Sequence, residues 1–334
     1  MNNEESNTLR PLNFEEFIGQ KEIINNLKIY IQAAKLRDTS LDHTLLVGHA
    51  GLGKTSLAYL ISYELNQNII VLNANSIERP KDLIITLSKL NEGDILFIDE
   101  IHALSKNCEE ILYSAMEDFY INLNVKNDLK KEVIRFDLPP FTLIGATTKV
   151  EDLSKPLLDR FSINFTFRKY SVEEITQILF NASKKLNTTY KMRALKLIAS
   201  VSRFTPRVAL NYLKRINDYS LIDNLKYVDH IYVCDILNKL GIKNKGLKDL
   251  DIRYLKMLHF DYDDKPVGIN TISSFLNENN KVIEEMVENY LIELSFIRKT
   301  SKGRVITSKG ITFLNSLHKK KLWVFLKIYS IMVL

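Results

Sequence analysis

The stretch GHAGLGKT, Gly48–Thr55, decides the fold of this chain. It fits G-x-x-x-x-G-K-[ST] in full, and its flanks suit it: the apolar run TLLV before it reads as a buried strand, and SLAYLI after it as a helix. Gly51 and Gly53 let the backbone turn so that its N–H groups point at phosphate oxygens, and the helix N-terminus adds the positive end of its dipole. Lys54 is placed to reach the β- and γ-phosphates of a nucleotide, and Thr55 to offer its hydroxyl to Mg²⁺. ATP with Mg²⁺ is the expected ligand pair.

Outward from this loop, strands and helices alternate. KEIINNLKIYIQAAKLR has helical spacing, NIIVLNA reads as a strand, PKDLIITLSKL as a helix opened by Pro80, DILFID as a strand and NCEEILYSAMEDF as a helix. INLNVKNDLKKEVIRFDL alternates on both sides of a polar turn at Asn127-Asp128, a hairpin, and FTLIGATT is a further buried strand. Such alternation predicts an α/β domain with a parallel sheet over residues 1–170.

DILFID runs on into EIH, so that four apolar residues end in Asp99-Glu100. An acid at the C-terminal edge of a buried strand lies beside the phosphate loop and can hold Mg²⁺, which is the role expected of Asp99. Glu100 is then placed to orient or deprotonate an attacking water. Adjacent acids favour hydrolysis over transfer to a substrate hydroxyl, which disfavours a small-molecule kinase. His102 suits packing or a role equally. Thr147 and Thr148 end the LIGATT strand, where a hydroxyl can sense the γ-phosphate or position the water.

After residue 170 the sequence reads as helical throughout a small all-α lid, 171–246, with a capping box at Ser171 and Glu174. GIKNKGLKDLD is a Gly/Lys-rich joint. Three helices followed by a hairpin around SKGR then read as a winged-helix domain, 247–318. The apolar stretch within 319–334 is too short to span a bilayer and is interrupted by Lys327. It reads as a buried helix or strand, with an interfacial amphipathic helix as the alternative.

Charge is uneven. The chain carries a net +6, yet nine Lys and Arg and no acid follow Glu293, leaving residues 1–293 at about −3. A C-terminal basic patch points to a polyanion, with a solvated lysine-rich face as the bland reading. Cys108 and Cys234 match no metal or CxxC spacing, and the polar N-terminus is no signal peptide, so a reduced, cytoplasmic protein is expected.

The phosphate loop, the Asp-Glu pair and the threonine-ended strand, followed by SKPLLDRFSI and a helical segment with TPR, resemble the AAA+ ATPases. RPLNFEEFIGQ, YSAMEDF, DLPPFTLIGATT and TPRVALNYLKRI resemble, more closely, the RuvB family of Holliday-junction branch-migration motors, and the likeness runs from about residue 9 to 315. It implies Leu9 and Arg10 at the adenine end of the nucleotide, and Gly51, Lys54, Thr55 and Ser56 on phosphates and metal. It further implies Tyr170 against the nucleotide, Thr148 and Arg207 as first and second sensors, and Glu117, Asp118 and Phe119 near a neighbouring subunit's nucleotide. Arg160, in DRF, becomes an arginine finger reaching the site next door; otherwise it is a structural cation paired with Asp159 or another nearby acid. Lys299, Lys302 and Arg304 would meet DNA phosphates, the hairpin at 121–136 would dock RuvA, and the working form would be a ring, a hexamer, with RuvC a further partner. HAGLGKTS stands where the family usually has PPGLGKTT, and Lys149 and Leu158 stand where it usually has arginine. A nucleotide-dependent loader or scaffold on DNA is the alternative function. A sequence-specific repressor fits less well, because the helix KVIEEMVENYLIE is acidic where a major-groove helix is basic.

Overall fold

The computed structural model describes residues 10–127, 130–186 and 188–317. Leu9, Asp128 at the predicted hairpin turn, and the 319–334 tail lie outside them.

The sheet is five-stranded and parallel. Its strands are β1 Thr44–Val47, β2 Ile69–Asn73, β3 Ile95–Asp99, β6 Thr142–Thr147 and β7 Ile163–Thr166, in the order β2-β3-β6-β1-β7. The strands β4 Tyr120–Asn127 and β5 Lys130–Asp137 form a separate antiparallel hairpin. β6 is buried along its whole length, as a strand covered on both faces must be. The phosphate loop leaves β1, which lies between β6 and β7, so the loop sits over the carboxyl edge of the sheet where α/β proteins bind ligands.

Four of the five sheet strands, the hairpin and the helix opened by Pro80 fall where the sequence places them. β7 was not predicted. Only Ile163 and Phe165 point inward, a four-residue alternation at a sheet edge that is too short to stand out. Past residue 170 two short strands, Thr189–Tyr190 and Tyr227–Val228, pair in parallel within a segment read as wholly helical. The capping box forms: Glu174 N–H donates to Ser171 Oγ at 3.1 Å, and Ser171 N–H to Glu174 Oε2 at 2.9 Å.

By contacts the chain falls into two units: Met1–Ala199 with Phe204–Asp229, and Ser200–Arg203 with His230–Leu334. The second holds the winged helix. Helical stretches at Asp249–Lys256, Ile269–Leu276 and Asn289–Glu293 precede the hairpin of Ile297–Thr300 and Gly303–Ile306, and the stretch before Asn289 is π-helical over Ile283–Glu288. A bridge between Val267 and Arg304 adds a third strand-like edge. A further helix over 308–317 packs back on the hairpin base, where Phe313 stacks on Phe296 with centroids 4.8 Å apart.

Candidate functional site

The phosphate loop needs glycine for two separate reasons. Gly51 has φ +82°, and a Cβ there would meet Thr205 Cγ2 at 2.8 Å and Arg207 Cβ at 2.9 Å; Gly53 has φ +102° and forms the N-cap of the helix Lys54–Leu65. Lys54 folds its Nζ onto the loop carbonyls of Gly48 and His49, at 2.5 and 3.1 Å. Burial pulls its pKa down, against the opposing pull of Glu100 and Asp99. Thr55 and Ser56 open the same helix and line the same cleft. Gly51→Ala combines the left-handed φ with a clash against the lid residues. The strain is on the order of 1–3 kcal/mol, and nucleotide affinity is expected to fall roughly tenfold or more, as titration with a fluorescent nucleotide will show.

β3 brings Asp99 to the edge of the sheet and ends there. Glu100 follows with φ 52° and ψ 44°, a left-handed conformation that a non-glycine residue adopts only under constraint. The constraint is visible. Glu100 N–H donates to Asp99 Oδ1 at 3.1 Å, and Glu100 Oε2 accepts from Thr148 Oγ1 at 3.0 Å and from Thr148 N–H at 3.3 Å. His102 Nδ1 lies 3.4 Å from the same Oε2 and 3.0 Å from Thr147 Oγ1, so His102 joins the end of β6 to the acid pair. Burial, and then the charge of Glu100, push the Asp99 carboxyl upward. An Mg²⁺ ion fits this donor set. Thr55 and Asp99 line one cleft and offer hard oxygens, and a cation would relieve the crowding of negative charge at Asp99–Glu100. Among the described residues no group of three or more His, Cys, Asp or Glu could hold a metal ion.

The cleft, of about 1000 Å³, is closed on its other side by the lid. Tyr170 is only 4% exposed and donates its hydroxyl to Leu52 O at 3.0 Å; burial pushes its pKa up to about 12, so it stays a donor. Arg207 lies in the cleft, and its backbone N–H approaches Gly51 O at 3.4 Å. Arg10 also lines the cleft, its guanidinium 5.1 Å from the Tyr59 ring centroid. Asn73 was missed in the sequence. It ends β2 directly beside Asp99 in the strand register and faces the cleft, and aligning the ends of NIIVLN and DILFID is the signal that finds it.

Arg160, Glu117, Asp118 and Phe119 do not line this cleft. Arg160 Nη2 bonds Glu117 Oε2 at 2.7 Å, its Nη1 bonds Pro156 O at 2.7 Å, its Nε bonds Tyr113 O at 3.2 Å, and the guanidinium sits 4.7 Å from the Tyr113 ring centroid. Asp118 caps the helix Lys106–Glu117, and Phe119 packs beside His43 and Phe141. In the winged-helix unit Lys302 is exposed at the hairpin turn. Lys299 and Arg304 pair with acids. Arg304, 14% exposed, bonds Glu288 Oε1 and Glu284 Oε1, each at 2.8 Å; Lys299 Nζ lies 3.0 Å from Glu288 Oε2. Glu288 is fully buried and accepts from the Tyr254 hydroxyl at 2.8 Å. Burial raises its pKa, but the bonds from Arg304, Lys299 and Tyr254 outweigh that and hold it ionised. The acidity of the preceding helix is thereby explained: two of its acids hold the wing.

A lid arginine reaching the cleft of the phosphate loop sets this P-loop ATPase in the AAA+ class. Family profiles divide the chain among them: a Holliday junction DNA helicase RuvB P-loop domain over residues 9–167, a RuvB AAA lid domain over 170–243 and a RuvB C-terminal winged helix domain over 244–315. The chain is 44% identical to the Holliday junction branch migration complex subunit RuvB of Campylobacter lari over 95% of its own length and 94% of the relative's. It is 44% identical to that of Orientia tsutsugamushi over 93% and 96%. The solved Thermotoga maritima RuvB Holliday junction branch migration motor superposes with a TM-score of 0.79 at 37% identity, over 92% of this chain and 98% of that one. The chain belongs to the RuvB family.

Proposed function

We propose that the protein is an ATP-driven DNA translocase that moves Holliday junctions in recombination and repair. The observation that carries this reading is the joining, in one chain of the RuvB family, of an Asp99–Glu100 phosphate-loop cleft and a winged helix with an exposed basic turn. ATP binds with its phosphates on the loop backbone, Lys54, Thr55 and Ser56, and its adenine toward Arg10, a place that Leu9 shares. Mg²⁺, held by Thr55 and, directly or through water, by Asp99, supplies charge neutralisation at the phosphates. Glu100 accepts a proton from the water that attacks the γ-phosphorus. The bond to the bridging oxygen breaks, and ADP leaves with its new charge beside Lys54. Thr148, through its two bonds to Glu100, ties the base to the end of β6, and Arg207 ties the nucleotide to the lid.

The same proposal divides the chain at 170/171 and 246/247 and places Arg160 and the Glu117–Phe119 segment at a neighbour's nucleotide in a hexameric ring. A hairpin at 121–136 whose Ile134 and Phe136 share a strand face, 49% and 39% exposed, suits an apolar protein partner, RuvA, with RuvC joining the assembly. Among the described residues no helix is long and apolar enough to cross a membrane.

DNA is met by the wing through phosphates, with Lys302 foremost; Lys299 and Arg304, partly neutralised by Glu284 and Glu288, contribute less. Lys302→Ala is expected to weaken binding of all duplex sequences alike, and to lower the slope of log affinity against log salt by about 0.9. Branch migration of a synthetic four-way junction, with ATP and RuvA, tests the whole reading. Junction binding without movement would favour the loader or scaffold instead.

A further inference from the structure

Four charged side chains of the winged-helix unit meet beside its hairpin. Lys299 and Arg304 stand directly opposite each other in the strand register, where like charges repel. Glu288, fully buried, bridges them: its Oε1 accepts from Arg304 Nε at 2.8 Å, and its Oε2 lies 3.0 Å from Lys299 Nζ. One carboxylate therefore suffices to join the pair. A second, Glu284, stands four residues earlier in the π-helical stretch, a rare geometry that is frequent at functional sites. Its Oε1 accepts from Arg304 Nη2 at 2.8 Å and lies 3.8 Å from Lys299 Nζ. Two cations against two carboxylates leave the quartet with no net charge.

Other contacts place the hairpin without Glu284. Arg304 and Val267 exchange two backbone hydrogen bonds, at 2.8 and 2.9 Å. Gly303 packs so closely on Val267 that a Cβ would fall 2.5 Å from the Val267 carbonyl oxygen. Phe313 stacks on Phe296 at the hairpin base, and Glu288 is fixed from below by the Tyr254 hydroxyl. The two acids also differ in exposure. The Glu284 side chain is 45% exposed, as is that of Lys299, whereas Glu288 is 0% exposed. A half-exposed ion pair contributes little to stability. Glu284 instead holds a negative charge at the solvent edge of two cations that would otherwise meet phosphate.

We propose that Glu284 is an internal competitor of DNA phosphate, which keeps the hold of the wing on DNA weak enough to be released at each step. This rests on the reading of the chain as a DNA motor given above. Carboxylate and phosphate take the same charge-assisted bonds from guanidinium and ammonium donors, so phosphate gains Lys299 and Arg304 in full only by displacing Glu284. When the wing leaves a phosphate, Glu284 takes its place and neither cation is stranded.

The test uses the full chain with a synthetic duplex and a synthetic four-way junction. Glu284→Gln keeps an oxygen for Arg304 and removes the charge. DNA affinity at about 0.1 M salt is expected to rise about two- to fivefold. The slope of log affinity against log salt is expected to steepen by up to about 0.9, the reverse of Lys302→Ala. Branch migration with ATP and RuvA is expected to slow at low salt, where release limits it, and to recover as salt is raised. A purely structural Glu284 would lower the unfolding midpoint and leave the salt slope unchanged. Glu285→Gln is the control, because Glu285 is exposed one residue further on, and the same loss of charge there is expected to leave the slope unchanged. An equal rise in that variant would make net charge the whole cause and overturns the inference. So does a Glu284→Gln affinity that is unchanged or weaker while Lys302→Ala has its expected effect. Tighter binding with an unchanged migration rate would leave Glu284 no part in release and overturns the proposal as well. If the Gln variant does not fold, Glu284→Asp decides: the shorter side chain draws the carboxylate back from Arg304 and should raise affinity by a smaller factor, and a fall overturns the inference. Lys302→Ala and Glu284→Gln both without effect would take DNA off the wing and overturn that reading together with the inference. Absence of branch migration by the unaltered chain overturns the motor reading, and the affinities then still decide whether Glu284 competes with phosphate.

Discussion

Arg160→Ala is expected to lower ATP turnover by about 10³–10⁵-fold, the effect of removing an arginine finger, while the variant should still bind ATP in its own cleft. The expectation follows from where the side chain is. Arg160 does not line the cleft of its own chain; it is held at the end of the short helix Lys155–Leu158 by Glu117, by two backbone carbonyls and by the face of Tyr113. Three hydrogen bonds and a stacked ring fix the guanidinium before any partner arrives, which is what a finger needs if ordering it is not to cost rate at each encounter. A purely structural arginine in this place would contribute stability instead, and its loss would lower the unfolding midpoint while leaving turnover per folded chain unchanged. Mixing separates the two. Arg160→Ala chains have sound clefts, and Lys54→Ala chains have sound fingers. In a randomly mixed ring of equal parts, roughly a quarter of the interfaces pair a sound cleft with a sound finger, so turnover absent from either variant alone returns in the mixture. No recovery counts against action between subunits.

The sequence was most legible where chemistry restricts residue type. The phosphate loop, the Asp99–Glu100 strand end and the winged-helix order all stand in short patterns whose physical demands few other residues meet. Positions set by tertiary packing were harder to see. β7 shows only Ile163 and Phe165 as inward residues, and Asn73 becomes informative only once β2 is aligned against β3. The wing misleads most. Its cations look free in sequence, but Glu284 and Glu288 lie a helical turn apart on the acidic helix and pair with Lys299 and Arg304 from residues well downstream. The same helix that argues against a major-groove reader is the support on which the basic hairpin rests. Nor does periodicity reveal that Arg203 and Arg207, four residues apart on one short segment, serve different units.

Glu100→Gln abolishes measurable turnover and spares ATP binding, a loss of about 10²–10⁴-fold if Glu100 acts as a general base alone. The amide has nearly the same shape, so the contact that Glu100 Oε2 makes with Thr148 survives through the amide oxygen, and the left-handed backbone at position 100 faces the same surroundings. What is lost is the ability to take a proton from water. Binding is spared because the phosphates are held by the loop backbone and Lys54, and the neutral amide removes a negative charge from beside them. Nucleotide affinity is therefore expected to hold or rise, and ATP-bound protein to accumulate. Lys54→Ala makes the contrasting case, since it removes the cation from the phosphates and should lose binding and turnover together. Pre-steady-state measurement separates the two variants: nucleotide binding seen by fluorescence without a phosphate burst for Glu100→Gln, and neither signal for Lys54→Ala. Full phosphate release from the Gln variant would remove Glu100 from the chemistry and leave its strained backbone without a functional account.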